Sequence, residues 1–203
     1  MTPAAAPAAE PVPLRPGRPR SAEADAAIRE ATIDLLADAG YANLTMSGVA
    51  ATAGVSTATL YRRWSSKVDL VVDVLSVRAE ERPLPDTGSL RGDCRAWLRQ
   101  MVDGMGETTA GPLMAGLVGE MARNPELADA VRTTLVGPRR AAFVALLERA
   151  ERRGELRKGL DHDLVIDMLS APIYHRVLIT GAPITRGFAD KLVDLVLEAV
   201  TVR

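Results

Sequence analysis

The sequence contains few of the residues on which catalytic and metal sites depend. Its 203 residues include one cysteine, Cys94, and two histidines, His162 and His175. A single cysteine cannot form an intramolecular disulfide and is consistent with a reducing compartment. The chain also lacks a glycine-rich phosphate loop and Cys or His pairs at metal-ligand spacing. We therefore expect a protein that is not an enzyme and that uses no metal or cofactor.

The nearest approach to a metal or acid–base cluster is Asp161-His162-Asp163. Adjacent residues at the start of a helix point in different directions, so these three side chains converge poorly on one ion. A helix cap, or a favourable interaction with the helix dipole, explains the two acids better.

Aromatic residues, long apolar runs and net charge are also scarce. Aromatic residues make up 3% of the chain and hydrophobic residues 47%, which is typical of helices packed through Ala, Leu and Val. No apolar run approaches the roughly 18 residues of a membrane span, and the Ala/Pro-rich start lacks the pattern of a secretory signal. We expect a cytoplasmic protein with no membrane partner. The formal net charge is −1, so an anionic partner must be met by local basic clusters.

What the sequence does contain is a helix-turn-helix pattern in residues 45–70. Two short helical patterns meet at residues 53–56, where Gly54 supplies the positive φ of a tight turn. Ser56 can cap the second helix, which begins at Thr57. The positions expected to face the core are Val49, Ala50, Ala53, Val55, Leu60 and Trp64.

The remaining face of this motif has the chemistry of a DNA reader. A helix fits the major groove, where Arg can donate two hydrogen bonds to guanine and a Thr or Ala methyl can pack on thymine. The base-reading candidates are Thr57, Ala58, Arg62 and Arg63. The other predicted DNA contacts, mainly to phosphates, are Thr45, Ser47, Ser56, Thr59, Tyr61 and Lys67. An ordinary solvated corner is the alternative, but the turn, caps, core positions and polar face agree.

A basic arm precedes the motif. Residues 1–20 are rich in Pro and Ala and cannot build a core, so we expect them to be disordered. Arg15, Arg18 and Arg20 are spaced along this arm in a Gly-Arg-Pro-Arg context that resembles an AT-hook. Such an arm can enter the minor groove of A·T-rich DNA. The alternative is a solvated tail that adds only salt-dependent attraction to phosphates.

The run GVSTATLYRRW at residues 54–64, followed by Ser66-Lys67 and Asp69-Leu70, resembles the DNA-binding segment of the TetR family of bacterial transcriptional regulators. The stretch from residue 28 to 53 continues the resemblance. It implies an all-α fold with a three-helix DNA-binding head, a helical body that binds ligand and dimerises, and a repressor that a small molecule releases. The operator cannot be taken from a relative, because the family commonly has Gly, His and Phe at the positions of Ala58, Arg63 and Trp64.

The pattern of breaks predicts the organisation of the chain. We expect an arm at 1–20, a DNA-binding domain at 21–66 and a ligand-binding and dimerisation domain at 67–203. The first helix should begin near Ser21 and stop at Gly40, and a helix over 68–82 should link head to body as a lever. The body helices are expected at 89–107, 112–122, 125–153 with a kink at Pro138, 161–180 and 186–202.

The last two helices carry apolar stripes that favour a homodimer on a palindromic operator. The stripes are Leu164, Met168, Ala171, Tyr174, His175 and Leu178, and Phe188, Leu192, Leu195, Val196 and Ala199. Because one head reads only a half-site, two heads on a twofold axis would reach successive major grooves. The alternative is that both stripes cover the core of the body itself.

A second set of body residues is typical of an adaptable apolar pocket for an unknown small-molecule effector. The candidates are Trp97, Met101, Met105, Leu113, Met114, Leu117, Met121, Phe143, Leu147, Met168 and Tyr174, with His175 and Arg176 as polar groups. A Met or aromatic stripe at helical spacing is more often plain core, which is the alternative for each of these residues. A ligand-independent architectural protein that prefers A·T-rich DNA is the alternative function.

Overall fold

The computed structural model describes residues 20–80, 83–106 and 110–201, and within them the chain is built from helices. Their bounds in chain order are α1 Arg20–Asn43, α2 Met46–Thr52, α3 Thr57–Tyr61, α4 Lys67–Glu80, α5 Leu90–Gly106, α6 Ala110–Met121, α7 Pro125–Ala130, α8 Gly137–Arg152, α9 His162–His175 and α10 Arg186–Val200. The predicted arm, with Arg15, Arg18 and the side chain of Arg20, lies outside the described residues.

Local signals in the sequence account for several of the helix boundaries. Gly40 has a φ of 74° and interrupts α1 where a stop was predicted. Asn124 caps α7 by accepting a hydrogen bond from the Leu127 N–H at 3.1 Å. Asp161 caps α9 in the same way, through the Leu164 N–H at 3.1 Å. The Asp161-His162-Asp163 group therefore begins with a cap.

Two helices continue into wider π-helical turns. The segment Val131–Val136 joins α7 to α8 and ends just before Pro138, where a kink was predicted. Pro138 cannot donate a backbone hydrogen bond to the preceding turn, so an irregularity at this place is expected. A second π-helical segment, Arg176–Thr180, follows α9, and Gly181 ends it with a φ of 64°.

The apolar side chains form two clusters. The body cluster joins α5, α8, α9 and α10 and contains the Trp97–Phe143 pair, whose ring centroids are 4.3 Å apart. The head cluster contains the predicted inward residues Val49, Leu60 and Trp64, together with most of the apolar face of α4.

The head cluster also includes residues from the other side of the predicted domain boundary. Leu117 of α6, Leu127 of α7 and Val131 are buried in it, beside α1 and α4. Residues of α6 and α7 therefore complete the core of the helix-turn-helix region.

Two glycines of α6 offer a test of the local energetics. Gly116→Ala and Gly119→Ala should each raise the free energy of unfolding by about 0.5 to 1 kcal/mol, since glycine inside a helix is that much less favourable than alanine. A Cβ at either position meets no atom within 4 Å. Urea-induced unfolding measures the effect.

Gly54→Ala is the matched control. A Cβ at Gly54 also meets nothing within 4 Å, but the φ of 66° is left-handed. This substitution should lower the stability by about 1 kcal/mol. If the free energy of unfolding changed in the same direction at all three positions, the backbone conformation would not explain these effects.

Candidate nucleic-acid interface and cavity

Side-chain caps hold the helix-turn-helix in shape. The Thr45 Oγ1 accepts a hydrogen bond from the Gly48 N–H at 3.0 Å and caps α2. The Ser56 Oγ accepts from the Thr59 N–H at 3.2 Å and lies 2.9 Å from the Thr59 hydroxyl, so both residues fix the start of α3. Gly54 adopts a φ of 66° in the turn between them, as the sequence predicts.

The predicted DNA-contacting residues lie together on the outer surface of this motif. Thr57, Ala58 and Tyr61 are exposed on α3, with Tyr61 at 55%, and so is Arg62, which directly follows this helix. Thr45 and Ser47 are exposed at the start of α2, and their hydroxyl oxygens are 3.3 Å apart. This surface presents hydroxyl, methyl and guanidinium groups without an acidic residue in α2 or α3.

Arg63 differs from the other three base-reading candidates, which are exposed. Its guanidinium forms an ion pair with Asp25 of α1, and the two side chains are only 19% and 28% exposed. The prediction that Arg63 reads a base is therefore corrected: the side chain is directed to α1 and fastens the end of α3 to it. The sequence pattern of α3 alone could not show this, because the partner is 38 residues away in the chain.

Lys67 is also engaged within the head. Its Nζ donates to the Tyr41 carbonyl oxygen at 3.0 Å and lies 4.3 Å from the centre of the Tyr41 ring. The contact fastens the start of α4 to the end of α1. An ammonium group has three N–H donors, so the predicted phosphate contact remains compatible with this position.

Asp73 of α4 is a structural residue that the sequence pattern did not predict. Its Oδ2 accepts hydrogen bonds from the Trp64 Nε1 at 3.1 Å and from Arg29 of α1 at 3.2 Å. It therefore connects α1, the end of the motif and α4. A signal was present, since a buried Trp side chain requires an acceptor for its N–H.

A cavity of about 560 Å³ lies between the head and body clusters. Most of the predicted pocket residues line it: Trp97, Met101, Met105, Leu113, Met114, Leu117, Met121 and Tyr174. The sequence pattern did not predict the other lining residues. From α4, the π-helical segment and the start of α8 these are Leu75, Val131, Leu135, Val136, Arg139 and Arg140, and from the remaining elements they are Gly104, Val118, Ile166, Asp167, Ser170 and Ala171.

Five predicted pocket residues do not line the cavity. Phe143 and Leu147 are fully buried in the body cluster, so plain core is the correct interpretation for them. Met168 and His175 are exposed on the outer face of α9. The remaining one, Arg176, donates to the Pro183 carbonyl oxygen at 2.7 Å and stacks on the Phe188 ring.

The polar groups of the cavity come from two helices. Arg140 of α8 donates to Asp167 Oδ1 at 2.5 Å and to Asp163 Oδ1 at 2.7 Å, both on α9. Burial raises the pKa of Tyr174, although the charge of Arg139 opposes part of this effect. The Tyr174 phenol therefore stays neutral and can donate a hydrogen bond at physiological pH.

Among the described residues there is no group of three His, Cys, Asp or Glu side chains arranged to hold a metal ion. His162 lies 3.8 Å from Glu151, and Asp163 is paired with Arg140. In the described ranges, no helix has both the length and the hydropathy needed to cross a bilayer.

Comparison with known families identifies both halves of the structure. The model of the tetR family of bacterial regulatory proteins matches residues 28–74, and that of the Tetracyclin repressor-like C-terminal domain matches residues 84–196. The chain belongs to the TetR family. Membership confirms the predicted family and the all-α fold, and it makes the chain a regulatory protein and not an enzyme.

Relatives of this TetR-family chain cover nearly its full length. The HTH-type transcriptional regulator YdeS of Bacillus subtilis is 35% identical over 184 residues, which are 90% of this chain and 91% of that protein. The DNA-binding transcriptional repressor TetR of Mycobacteroides abscessus is 34% identical over 85% of this chain and 90% of its own. The crystal structure of the TetR family transcription regulator SCO0332 is 35% identical, with a TM-score of 0.73, and the match covers 88% of this chain and 98% of that one.

The predicted dimer stripes of this TetR-family chain divide into exposed and buried residues. Leu192 and Val196 are only 8% and 3% exposed and belong to the body cluster, so their assignment to a dimer surface is corrected. Leu178 and Phe188 are half-buried. The exposed members of the stripes, which we call the α9–α10 face, are Leu164, Met168, Ala171, His175, Leu195 and Ala199.

The Arg63–Asp25 pair can be tested by a double-mutant cycle. Arg63→Gln and Asp25→Asn should each destabilise the protein, and the double variant should be more stable than the sum of the single effects predicts, by about 1 kcal/mol. Urea unfolding gives the free energies. Arg62→Gln combined with Asp25→Asn is the control, since Arg62 is exposed, and there the effects should add. Additivity in both cycles would leave Arg63 without a structural role.

Proposed function

We propose that this TetR-family protein is a homodimeric repressor that binds a palindromic operator and is released by a small apolar ligand. The observation that carries the proposal is the position of α4. Its Leu70, Val71 and Val74 are buried in the head cluster, while its Leu75 lines the cavity. One rigid element therefore contacts both the DNA-binding motif and the space for a ligand.

In this proposal, reading of the operator is assigned to the exposed residues of α3. Thr57, Ala58 and Arg62 read base edges in the major groove, because they are the outward groups that can pack on thymine or bind guanine. Tyr61 and Lys67, with Thr45 and Ser47 on α2, contact phosphates and set the register. Arg63 orients α3 through Asp25. The proposed DNA partner implies a cytoplasmic location in a bacterium.

The second half-site requires a second head, and the α9–α10 face supports the proposed homodimer. Leu164 is 56% exposed and Leu195 67%, and they lie on the last two helices. Large apolar side chains that cluster on an outer face favour burial by a partner. A twofold dimer through this face would present two recognition helices to successive major grooves, about 34 Å apart.

In this proposal, the ligand releases the protein from the operator through the shared packing of α4 and α6. Leu117 is buried in the head cluster and also lines the cavity, as does Val131. A ligand that favours a different spacing of these side chains shifts α4 and hence the separation of the two recognition helices. Only a difference in affinity between the two arrangements can drive such a shift.

The DNA-binding part is tested by selecting the bound sequence from random DNA with purified protein, followed by footprinting. Arg62→Ala should cost about 1 to 3 kcal/mol on the selected site and much less on random DNA, because a lost base contact removes sequence discrimination. Arg132→Ala, at an exposed position of the body, should change neither affinity. Protection of broad A·T-rich regions instead of one short palindrome would support the architectural alternative.

Two separate variants test the homodimer: one places a charge on the α9–α10 face, and the other places it in the body cluster. Leu195→Glu should give folded monomers in sedimentation velocity, because the charge would be buried in the interface without a partner. Leu192→Glu should instead lower the melting temperature strongly, since it puts the charge into the body cluster. A folded dimer of Leu195→Glu would refute this interface.

A further inference from the structure

The cavity is polar on one side only. Its charged and hydroxyl-bearing lining residues are Arg139 and Arg140 of α8 and Asp167, Ser170 and Tyr174 of α9. The opposite wall, formed by α4, α5 and α6, contributes aliphatic, thioether and indole side chains. A ligand that matches this division is amphipathic, with an apolar body and a polar group at one end.

The carboxylate on the polar side of the cavity is already paired with an arginine. Asp167 supplies the single carboxylate among the described lining residues, and it is already bound by Arg140 at 2.5 Å. A cationic ligand would have to compete with that guanidinium. Asp163, just outside the lining, is bound by the same arginine. The carboxylates of this region are therefore engaged before any ligand arrives.

For an anionic ligand, the same side of the cavity offers hydrogen-bond donors. Arg139 and Tyr174 both line the cavity, on the contacting helices α8 and α9. A neutral phenol donates one hydrogen bond and a guanidinium has five N–H groups, so both can bind an acid group even when Arg139 keeps a protein contact. Hydrogen bonds that involve an ionised partner are about twice as strong as neutral ones.

We propose that the cavity binds an amphipathic organic anion. Its apolar body lies against Met105, Met114 and Leu117, and its carboxylate or comparable acid group is held by Arg139 and Tyr174. The volume of about 560 Å³ suits a drug-sized molecule. This inference rests on the proposed ligand-binding function and specifies the chemical class of the effector.

Two dyes that share a ring system separate the acid group from the apolar body. 1-Anilinonaphthalene-8-sulfonate is an anion, and N-phenyl-1-naphthylamine is the same skeleton without the sulfonate. Both become fluorescent in apolar surroundings, so their dissociation constants can be measured on the full-length protein. We expect the anion to bind at least about tenfold more tightly, which corresponds to one good charged hydrogen bond.

Substitutions then locate the acid group. Arg139→Gln should weaken the anionic dye about tenfold and leave the neutral dye unchanged, while Arg139→Lys should retain most of the affinity because it keeps the charge. Tyr174→Phe should weaken the anion severalfold without loss of the neutral dye. Arg132→Gln is the matched control, because this arginine is exposed and does not line the cavity.

Val118→Trp shows whether the dyes occupy this cavity. Val118 is 40% exposed and lines it, so a larger side chain can fill the entrance without overpacking the core. Both dyes should lose affinity. Retained binding of the anion in this variant would overturn the proposal, as would equal affinities of the two dyes or an unchanged anion affinity in Arg139→Gln.

The experiments distinguish an error in the proposed ligand class from an error in the proposed repressor function. If the neutral dye binds the cavity and releases the selected operator while the anion does not, the ligand-responsive repressor stands and the anionic class is wrong. If neither dye binds, the cavity proposal fails. Operator selection and footprinting then still report on DNA binding alone.

Discussion

The burial of α4 in the head is the constraint on which the other features depend. Leu70 and Val71 are fully buried in a cluster completed by Leu117 and Leu127. Burial of each such side chain contributes roughly 1.5 to 3 kcal/mol, so α4 cannot be displaced while the head keeps its packing unchanged. Asp73 also fixes the orientation of α4 in the head, because its carboxylate accepts hydrogen bonds from both Arg29 and Trp64.

The helix-turn-helix could be predicted almost completely from the sequence because its determinants are local. The caps at Thr45 and Ser56, and the turn at Gly54, involve partners within four residues. The prediction of a base contact for Arg63 was wrong because the position of this side chain depends on a distant residue. Its partner belongs to α1, and the periodicity of α3 carries no information about a residue so distant in the chain.

In the body, too, the sequence pattern did not predict which element each apolar side chain contacts. The pattern of α10 correctly identifies an apolar side, but Leu192 and Val196 are buried in the body cluster while Leu195 is exposed. Periodicity gives the direction of a side chain and not the identity of its neighbour. For this reason the sequence predicted the methionines of the cavity and missed Arg139, which joins Tyr174 only through the packing of α8 on α9.

The separation of roles within α3 has a consequence for evolution. Thr57, Ala58 and Arg62 are exposed and contribute little to the core, whereas Leu60 and Arg63 hold the helix in place. Substitutions at exposed positions usually change stability by less than about 0.5 kcal/mol. Under the proposed assignment of base reading to Thr57, Ala58 and Arg62, duplicated copies of such a chain acquire new target sequences through a few tolerated changes, without first gaining compensating stability.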